Sequence, residues 1–254
     1  MPEARAWDGM SYDRISGPME ELGLAVLARL QLRGDETVLD AGCGSGRITQ
    51  ALIERLPDGR AIAVDASASM VDAARARLSD ADVRQLDLLD LDLGSLGLAA
   101  PLDAILSTAT FHWIADHGRL FDHLHAALRA GGQLVAQCGG EGNIDELRRH
   151  ALDVCAREPY AARFADFSPP WNYAGPRETE ARLLAAGFQE ARCWLQPAPK
   201  TPEQPREFLQ TIVLGPHVQH LPGELRDAFI DDVMAELRMP VVVDYVRLNI
   251  DAIA

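Results

Sequence analysis

The feature that most constrains this chain is a glycine-rich turn that follows an apolar run ending in an acid. Residues 38–46 have the sequence Val-Leu-Asp-Ala-Gly-Cys-Gly-Ser-Gly, and residues 61–65 form a second apolar run that ends at Asp65. Glycine has no Cβ, so a glycine-rich backbone can turn sharply and approach a ligand closely. An acid at the tip of the next strand can bind the hydroxyls of a ribose. The pattern predicts a pocket for an adenosine-bearing cofactor at the carboxyl ends of parallel strands.

The glycine spacing and the first acid distinguish two kinds of cofactor. Dinucleotide-binding turns have the pattern G-x-G-x-x-G, whereas this turn is G-x-G-x-G and Arg47 occupies the third dinucleotide position. Asp40, just before the turn, repels a pyrophosphate and attracts an ammonium group. S-adenosylmethionine (SAM) carries a sulfonium, an amine, a carboxylate and a ribose, and no phosphate. The turn therefore favours SAM, and a tight strand-to-helix turn without a ligand is the structural alternative.

Short apolar runs and helical patterns alternate through the first part of the chain. Strands are predicted at about 36–41, 60–65, 83–86, 102–106 and 133–137, with helices between them. After residue 140 the pattern changes: helices are predicted at 143–157, 179–186, 205–214 and 223–238, and strands at 188–195 and 241–250. The regular alternation predicts an α/β fold with a doubly wound parallel sheet and right-handed crossovers.

At the glycine turn the chain resembles the class I SAM-dependent methyltransferases, whose first motif is similar to residues 39–46. The resemblance implies a Rossmann-like, seven-stranded sheet whose last strand runs antiparallel between the fifth and the sixth. The domain organisation it implies is an N-terminal segment and helix over the cofactor site (1–34), a SAM-binding core (35–140), a helical and aromatic insertion (141–176), a core helix and strand (177–196), a helical lid insertion (197–240) and a final strand (241–254). Extra core cover or an oligomer surface is the alternative role for the insertions.

The expected cofactor contacts combine the turn with neighbouring strand ends. They are Tyr12, Asp40, Gly42, Gly44, Gly46, Asp65, Ala66, Met70, Asp87, Leu88 and Thr108. In the family that the chain resembles, an acid such as Asp87 meets the adenine amino group, the next residue packs on the ring, and an N-terminal aromatic segment folds over the cofactor. Asp87 as a simple turn cap, with Asp90 and Asp92 close by, and Met70 as helix core are the alternatives.

The substrate side is predicted from the segment after the fourth strand and from two later segments. His112 is the candidate to orient a substrate or to act as a base; a structural histidine bonded to the backbone is the alternative. Residues 111–117 and 245–250 resemble the trans-aconitate methyltransferase-like group, which implies a small acceptor, such as a carboxylate. The candidate substrate contacts are Trp113, Trp171, Tyr173, Tyr245 and Arg247. A salt-bridged edge arginine is the alternative for Arg247.

The composition of the chain limits the classes of ligand and partner that it can bind. The formal net charge of −14 disfavours DNA, tRNA and anionic membranes. We expect a cytoplasmic protein, because the start of the chain has no apolar core typical of a secretory signal and no run is long enough to span a membrane. The four cysteines are scattered and His117, His123 and His125 lack an acid at metal-binding spacing, so no metal site is expected. The oligomeric state is not predicted.

Three other functions compete with methyl transfer. A short-chain NAD-linked oxidoreductase usually has a Tyr-x-x-x-Lys pair, which is missing because Lys200 is the only lysine. A SAM-binding or scaffold protein without catalytic activity fits the same motifs. A cyclopropane-forming enzyme acting on lipid is disfavoured by the acidic charge and by the lack of a basic amphipathic helix.

Overall fold

The computed structural model describes residues 17–254, and its centre is one mixed sheet with the strand order β3-β2-β1-β4-β5-β7-β6. The strands are β1 (Thr37–Ala41), β2 (Arg60–Asp65), β3 (Asp82–Gln85), β4 (Leu102–Thr108), β5 (Leu128–Gly139), β6 (Glu190–Pro197) and β7 (Val246–Ile253). Neighbouring strands from β1 to β5 pair in parallel, whereas β7 runs antiparallel to both β5 and β6. The predicted α/β fold, with its last strand antiparallel between the fifth and the sixth, is confirmed.

Helices cover both faces of the sheet and one end of it. They are α1 (Gly17–Leu27), α2 (Arg47–Glu54), α3 (Ala68–Arg77), α4 (His117–Ala127), α5 (Asp145–Cys155), α6 (Ala161–Phe164), α7 (Pro176–Ala185), α8 (Pro205–Phe208), α9 (Gly215–His220) and α10 (Gly223–Glu236). Single 3₁₀ turns occur at Leu88–Asp90 and Phe111–Trp113, and a π-helical turn at Leu209–Val213 joins α8 to α9. Within residues 17–254, no helix is both long enough and apolar enough to cross a membrane.

The sheet has an apolar core on each face, because successive side chains of a strand point to opposite sides. In β1, Leu39 faces the cluster that α4 and α7 cover, and Val38 faces the cluster that α1 and α2 cover. Both side chains are fully buried. A leucine or valine buried in this way stabilises a fold by about 1.5–3 kcal/mol. The first strand is therefore held from both sides, which fixes the position of the turn that follows it.

A further apolar core lies outside the sheet and joins helices from two separate parts of the chain. We call α5–α6 together with α8–α10 the helical cap. Its buried side chains include Leu147 of α5, Phe208 of α8 and Phe229 of α10. Tyr160 donates a hydrogen bond from its hydroxyl to Asp232 of α10 over 2.7 Å. Segments that are far apart in the sequence therefore pack as one layer over the end of the sheet.

The last strand differs from its prediction over 241–250. It begins at Val246 and ends at Ile253, whereas Val243 only forms an isolated bridge with Lys200. A run of valines favours extended backbone, but Val243 and Tyr245 are buried in the helical cap rather than in the sheet. The predicted helix at 205–214 is likewise divided into α8 and the π-helical turn.

Candidate functional site

The turn after β1 contains glycines with different physical roles. Gly42, Gly44 and Gly46 all have positive φ angles, of 84°, 53° and 83°. A Cβ on Gly42 would lie 2.1 Å from Oγ1 of Thr110, and one on Gly46 would lie 2.8 Å from a methyl of Leu78. A Cβ on Gly44 would meet nothing within 4 Å. Gly42 and Gly46 are therefore required for packing, whereas Gly44 borders open space that a ligand can occupy.

Asp65, the predicted ribose acid at the end of β2, also holds this turn closed. Its Oδ2 accepts a hydrogen bond from the backbone N–H of Gly44 over 2.9 Å, and its Oδ1 accepts one from Ser67 over 2.9 Å. Burial raises the pKa of Asp65, and the two backbone hydrogen bonds act against that rise. Each carboxylate oxygen has a second lone pair. Asp65 can therefore accept from ribose hydroxyls while it anchors the glycine turn.

Asp40 has the environment of a carboxylate that requires a cation. It is 1% exposed, and its Oδ2 accepts a hydrogen bond from the hydroxyl of Thr49 over 2.6 Å. Its buried Oδ1 has no hydrogen-bond partner among residues 17–254. Burial raises the pKa of Asp40 to about 6, the Thr49 hydroxyl opposes the shift and the charge of Asp65 adds to it. An ammonium group supplies the donor that Oδ1 lacks, so this site fits SAM.

The predicted adenine contacts divide into half-buried and core residues. Ala66 is half-buried, whereas Met70 is 4% exposed and Leu88 is 5% exposed and belongs to the main core. The side chain of Leu88 therefore offers little surface to an adenine ring. Asp87 caps a 3₁₀ turn, since its Oδ1 accepts from the N–H of Leu89 over 2.9 Å. The capping alternative for Asp87 is present in the structure, and its contact with adenine stays a prediction.

The end of β4 forms a wall between the glycine turn and a neighbouring cleft. The hydroxyl of Thr110 lies 3.2 Å from the carbonyl of Gly42 and 3.0 Å from the carbonyl of Thr108. Ala109, which lies between these two threonines, has a φ of 55°, which is rare for a residue with a Cβ. Thr108 itself is half-buried. Tyr12 lies outside the described residues.

The cleft lies between this wall, the helical cap and the start of β7. All the predicted substrate contacts and His112 line it, together with residues that the sequence did not indicate. The lining residues are Ala109, His112, Trp113, Asn143, Ile144, Trp171, Tyr173, Ile212, Val213, Tyr245 and Arg247. The space between these residues, counted together with the solvent at the open mouth of the cleft, is about 470 Å³.

His112 lines this cleft, and its hydrogen bond to the backbone decides which of its ring nitrogens carries the proton. The side chain is 7% exposed, and its Nδ1 accepts from the N–H of Gly139 over 3.3 Å. An Nδ1 that accepts a hydrogen bond leaves the ring proton of a neutral imidazole on Nε2. Nε2–H is a donor and cannot take up a further proton. The geometry therefore favours an orienting role for His112 over the role of a base.

Aromatic rings form one side of the cleft. The rings of Trp171 and Tyr173 are stacked, with centroids 5.8 Å apart and an interplanar angle of 13°, and Trp113 lies 6.3 Å from Trp171. The guanidinium of Arg148 lies 5.7 Å from the centroid of the Tyr173 ring and 5.9 Å from that of Trp171. Burial raises the pKa of Tyr173, which keeps its hydroxyl protonated.

Arg247 brings a buried cation to the cleft. It is 5% exposed, and its guanidinium carbon lies 4.2 Å from the centroid of the Tyr245 ring. It is paired in the sheet with Gly139, the residue that donates to His112. Among the described lining residues, Arg247 is the only arginine or lysine, and there is no aspartate or glutamate.

Asn143 and Ile144 are lining residues that the sequence reasoning missed. Asn143 is 2% exposed, accepts from the N–H of Val246 over 2.9 Å and hydrogen-bonds to Tyr173. Ile144 has a φ of 54°, which is strained for a β-branched residue. The Gly-Asn pair at 142–143 marks a turn, but no local signal indicates that this turn faces a cleft.

Comparison with known proteins gives one consistent result. A family profile described as "Methyltransferase domain" matches residues 38–132. A trans-aconitate 2-methyltransferase from Acidovorax ebreus (strain TPSY) is 34% identical over an alignment of 235 residues, and the match covers 88% of this chain and 86% of that protein. A trans-aconitate 2-methyltransferase from Azoarcus sp. (strain BH72) is 36% identical over 159 residues, and the match covers 63% of this chain and 60% of that protein.

A solved structure supports the same fold at low sequence identity. Phosphoethanolamine N-methyltransferase 2 from Haemonchus contortus, in complex with phosphomonomethylethanolamine and S-adenosylhomocysteine, superposes with a TM-score of 0.61 and 17% identity. The superposition covers 97% of this chain and 56% of that one. These matches agree with the choice of SAM over a dinucleotide that Asp40 and the glycine spacing indicate.

Proposed function

Since this chain belongs to the class I SAM-dependent methyltransferases, we propose that it transfers the methyl group of SAM to a small-molecule carboxylate bound in the cleft. The trans-aconitate acceptor for which its relatives are named is a carboxylate. The product is a methyl ester, together with S-adenosylhomocysteine.

The observation that carries this proposal is the wall shared by the glycine turn and the cleft. Thr110 contacts the carbonyl of Gly42 on one side, and Ala109 and His112 line the cleft on the other. We place the cofactor on the turn and the acceptor in the cleft so that they meet at the edge of residues 108–112, because methyl transfer needs the acceptor oxygen in contact with the methyl carbon. Two reactants held in this way react with an effective molarity of about 10⁵ M or more.

On the cofactor side, three groups of this chain act on different parts of SAM. Oδ1 of Asp40 accepts from the ammonium, and the carboxylate of Asp65 accepts from the ribose hydroxyls. The open backbone at Gly44 lets the methionine half approach. When bound, SAM supplies a sulfonium methyl group that is an electrophile.

On the acceptor side, Arg247 and His112 hold the carboxylate and turn one oxygen toward the methyl group. A carboxylate is already a nucleophile, so no base is needed. This agrees with His112, whose Nδ1 is engaged by Gly139 and whose Nε2 carries the proton. The aromatic rings and the helical cap exclude water, which strengthens both polar contacts.

The test is calorimetric titration of SAM into the protein and into two variants. Asp65→Ala is expected to lose SAM affinity by a hundredfold or more, because both the ribose contact and the closed turn are lost. Asp92→Ala is the matched control: Asp92 also caps a turn, accepting from Ser95 over 2.6 Å, but is exposed and outside the site. It should bind SAM as the unmodified protein does.

Three results would contradict the proposal or limit it: one comes from this titration, and two come from an assay of labelled-methyl transfer by the unmodified protein. Unchanged SAM affinity in Asp65→Ala would contradict the cofactor site. Tight SAM binding without transfer of labelled methyl to any carboxylate, phenol or amine would favour the scaffold alternative. Methylation of phenols or amines alone would retain the methyltransferase and reject the carboxylate.

A further inference from the structure

We infer that His117 is a positioning residue for methyl transfer, because its ring holds the short turn that presents His112 and Trp113 to the cleft. His117 itself is buried in the core and does not line the cleft. The inference rests on the proposed function, and it assigns a role to a buried histidine that the transfer step does not use.

The turn at Phe111–Trp113 has little structure of its own. It is a single 3₁₀ turn of three residues, and the side chain of Thr110 does not cap it. Ala109, which comes just before Thr110, has a φ of 55°. Because the hydrogen bonds of a 3₁₀ turn have poor geometry, contacts from other segments contribute strongly to the direction in which its side chains point.

Hydrogen bonds from other segments reach the carbonyls on both sides of the His112 side chain. The carbonyl of Phe111 lies 2.9 Å from Nε2 of His117, and it also accepts from the N–H of Ile114 over 2.9 Å. The carbonyl of His112 accepts from the N–H of Asn172 over 2.8 Å. Each carbonyl belongs to a rigid peptide plane. The two planes that flank the Cα of His112 are therefore both held, which orients its side chain.

The bond from His117 requires one particular protonation state of its ring. A carbonyl only accepts hydrogen bonds, so Nε2 carries the proton and Nδ1 of the neutral ring is an acceptor. Burial lowers the pKa of His117, the bond to Phe111 opposes the shift, and the charge of Arg182 adds to it. The carboxylates of Glu178 and Asp116 act in the opposite direction. The ring is therefore neutral at pH 7 and donates through Nε2–H.

The ring of His117 is itself held in place. His117 is the first residue of α4, and Asp116 caps this helix by accepting from the N–H of Arg119 over 3.0 Å. The ring of Phe121 lies 5.7 Å from that of His117 and 6.0 Å from that of Phe111. A group that orients a site must be fixed by its own packing, and His117 meets this condition.

The turn brings two rings to the cleft together. His112 and Trp113 both line it, and their ring centroids are 5.0 Å apart. A displacement of about 1 Å can lower the rate of a positioned reaction about a hundredfold. The contacts of Asp65 with Gly44 and Ser67 lie in another part of the chain. Loss of the His117 bond should therefore slow methyl transfer and change SAM binding little.

A pair of amide variants separates the hydrogen bond from the volume of the ring. In His117→Gln a side-chain N–H takes the place of Nε2–H, whereas the shorter side chain in His117→Asn does not reach the carbonyl of Phe111. Turnover at saturating SAM, measured as labelled-methyl transfer to trans-aconitate, should fall about tenfold or more in His117→Asn and stay within about threefold in His117→Gln. The KM for SAM should be nearly unchanged in both.

His123→Asn is the matched control for these variants. The ring of His123 lies on the same helix and forms a hydrogen bond with the carbonyl of Leu91 over 2.7 Å, but it is outside the cleft. This variant should keep the turnover of the unmodified protein. Undiminished turnover in His117→Asn, or an equal fall in His117→Asn and His117→Gln, would overturn the inference.

Nuclear magnetic resonance tests the inference without an acceptor. Nitrogen-15 spectra of the unmodified protein at pH 7 should show a neutral His117 ring with its proton on Nε2. The indole N–H signal of Trp113, identified with Trp113→Phe, should shift in His117→Asn and stay in place in His123→Asn. A proton on Nδ1 of His117, or an unshifted Trp113 signal in His117→Asn, would also overturn the inference.

The two kinds of measurement distinguish this inference from the proposed function. The tautomer of His117 is measured on the unmodified protein, so it decides the inference even where His117→Asn does not fold. Absence of methyl transfer from SAM to any carboxylate by the unmodified protein would contradict the proposed function, and the resonance signals would still decide whether His117 holds the turn.

Discussion

The glycine turn and the cleft are neighbours, yet they are built in opposite ways. The turn lies within residues 40–67 and is held by backbone hydrogen bonds, such as those from Gly44 and Ser67 to Asp65. The cleft instead combines residues that are dispersed along the chain from 109 to 247. A site made of local backbone tolerates few changes, whereas a site made of dispersed side chains can change its ligand one residue at a time. This difference explains how one cofactor can serve many acceptors on the same fold.

The largest expected effect tests whether two glycines of one turn have different roles. Gly42→Ala should lower the free energy of unfolding by about 3 kcal/mol or more, because its Cβ meets Thr110 and its φ is positive. Gly44→Ala should cost only about 1 kcal/mol of backbone strain, but should weaken SAM at least tenfold. Urea unfolding and calorimetry measure the two quantities. Equal losses of stability in both variants would contradict the assignment of open space to Gly44.

The second prediction concerns the conflict between stability and cofactor binding at Asp40. Its pKa is about 6 in the fold and about 3.9 in an unfolded chain. The fold therefore binds the proton more tightly, and Asp40 lowers stability as pH rises from about 4 to 6, with the full cost present above pH 6. Asp40→Asn should stabilise the protein without ligand at pH 7.5 by at most about 3 kcal/mol and abolish measurable SAM binding.

The pH dependence of the unmodified protein is the control for this prediction. SAM affinity should fall as pH drops below 6, because a protonated Asp40 no longer attracts the ammonium. In Asp40→Asn the unfolding free energy should lose the part of its pH dependence that lies between pH 4 and 6. SAM affinity that stays constant from pH 7.5 to 5 would remove Asp40 from the cofactor site.

The third prediction lies in the cleft. His112→Ala should lower turnover about tenfold, as expected for one lost hydrogen bond of about 1.4 kcal/mol, and leave SAM affinity within twofold. Turnover of the unmodified protein should stay level from pH 7 to 9, since no base is used. His123→Ala is the control, because the ring of His123 also forms a hydrogen bond with the backbone, at the carbonyl of Leu91, but lies outside the cleft. If the turnover of the unmodified protein rises with pH and this rise is absent in His112→Ala, His112 acts as a base and the prediction is wrong.

The smallest expected effect concerns the wall between the two regions. Ala109→Gly should raise the free energy of unfolding by no more than about 1 kcal/mol, because relief of the positive φ slightly exceeds the entropy cost of glycine. Ala104→Gly, at a fully buried position of β4 where φ is not positive, should instead lower it by about 1 kcal/mol. Urea unfolding of both variants checks the sign. A loss in Ala109→Gly as large as that in Ala104→Gly would show that the wall stores no strain.

The turn was predictable because its signals are local. Asp40, Gly42 and Asp65 occur at strand ends that apolar runs mark, and parallel strands bring such ends to one edge. The antiparallel last strand between the fifth and the sixth followed from the family resemblance, and the structure confirms it. What the pattern did not give is burial: the side chain of Leu88 is buried in the main core, and its contact with adenine stays a prediction.

The cleft was predictable only in part, because it depends on contacts between distant segments. The resemblance singled out Arg247 and Tyr245, but Asn143 and Ile144 reach the cleft only through the packing of the helical cap. The proton of His112 depends on the N–H of Gly139 in another strand. The valines at 241–243 favour a strand by composition, but Val243 is buried in the helical cap and the strand begins only at Val246.

The proposed function is tested most directly by a crystal structure of the protein with S-adenosylhomocysteine and a small carboxylate acceptor. The account predicts the amino group of the nucleoside within about 3 Å of Oδ1 of Asp40, its ribose on Asp65, and its sulfur facing Ala109. The carboxylate of the acceptor should then lie between Arg247 and His112, with one oxygen facing the sulfur at the edge of the same wall. A nucleoside bound elsewhere, or an Oδ1 of Asp40 satisfied by a donor of the protein itself, would contradict it.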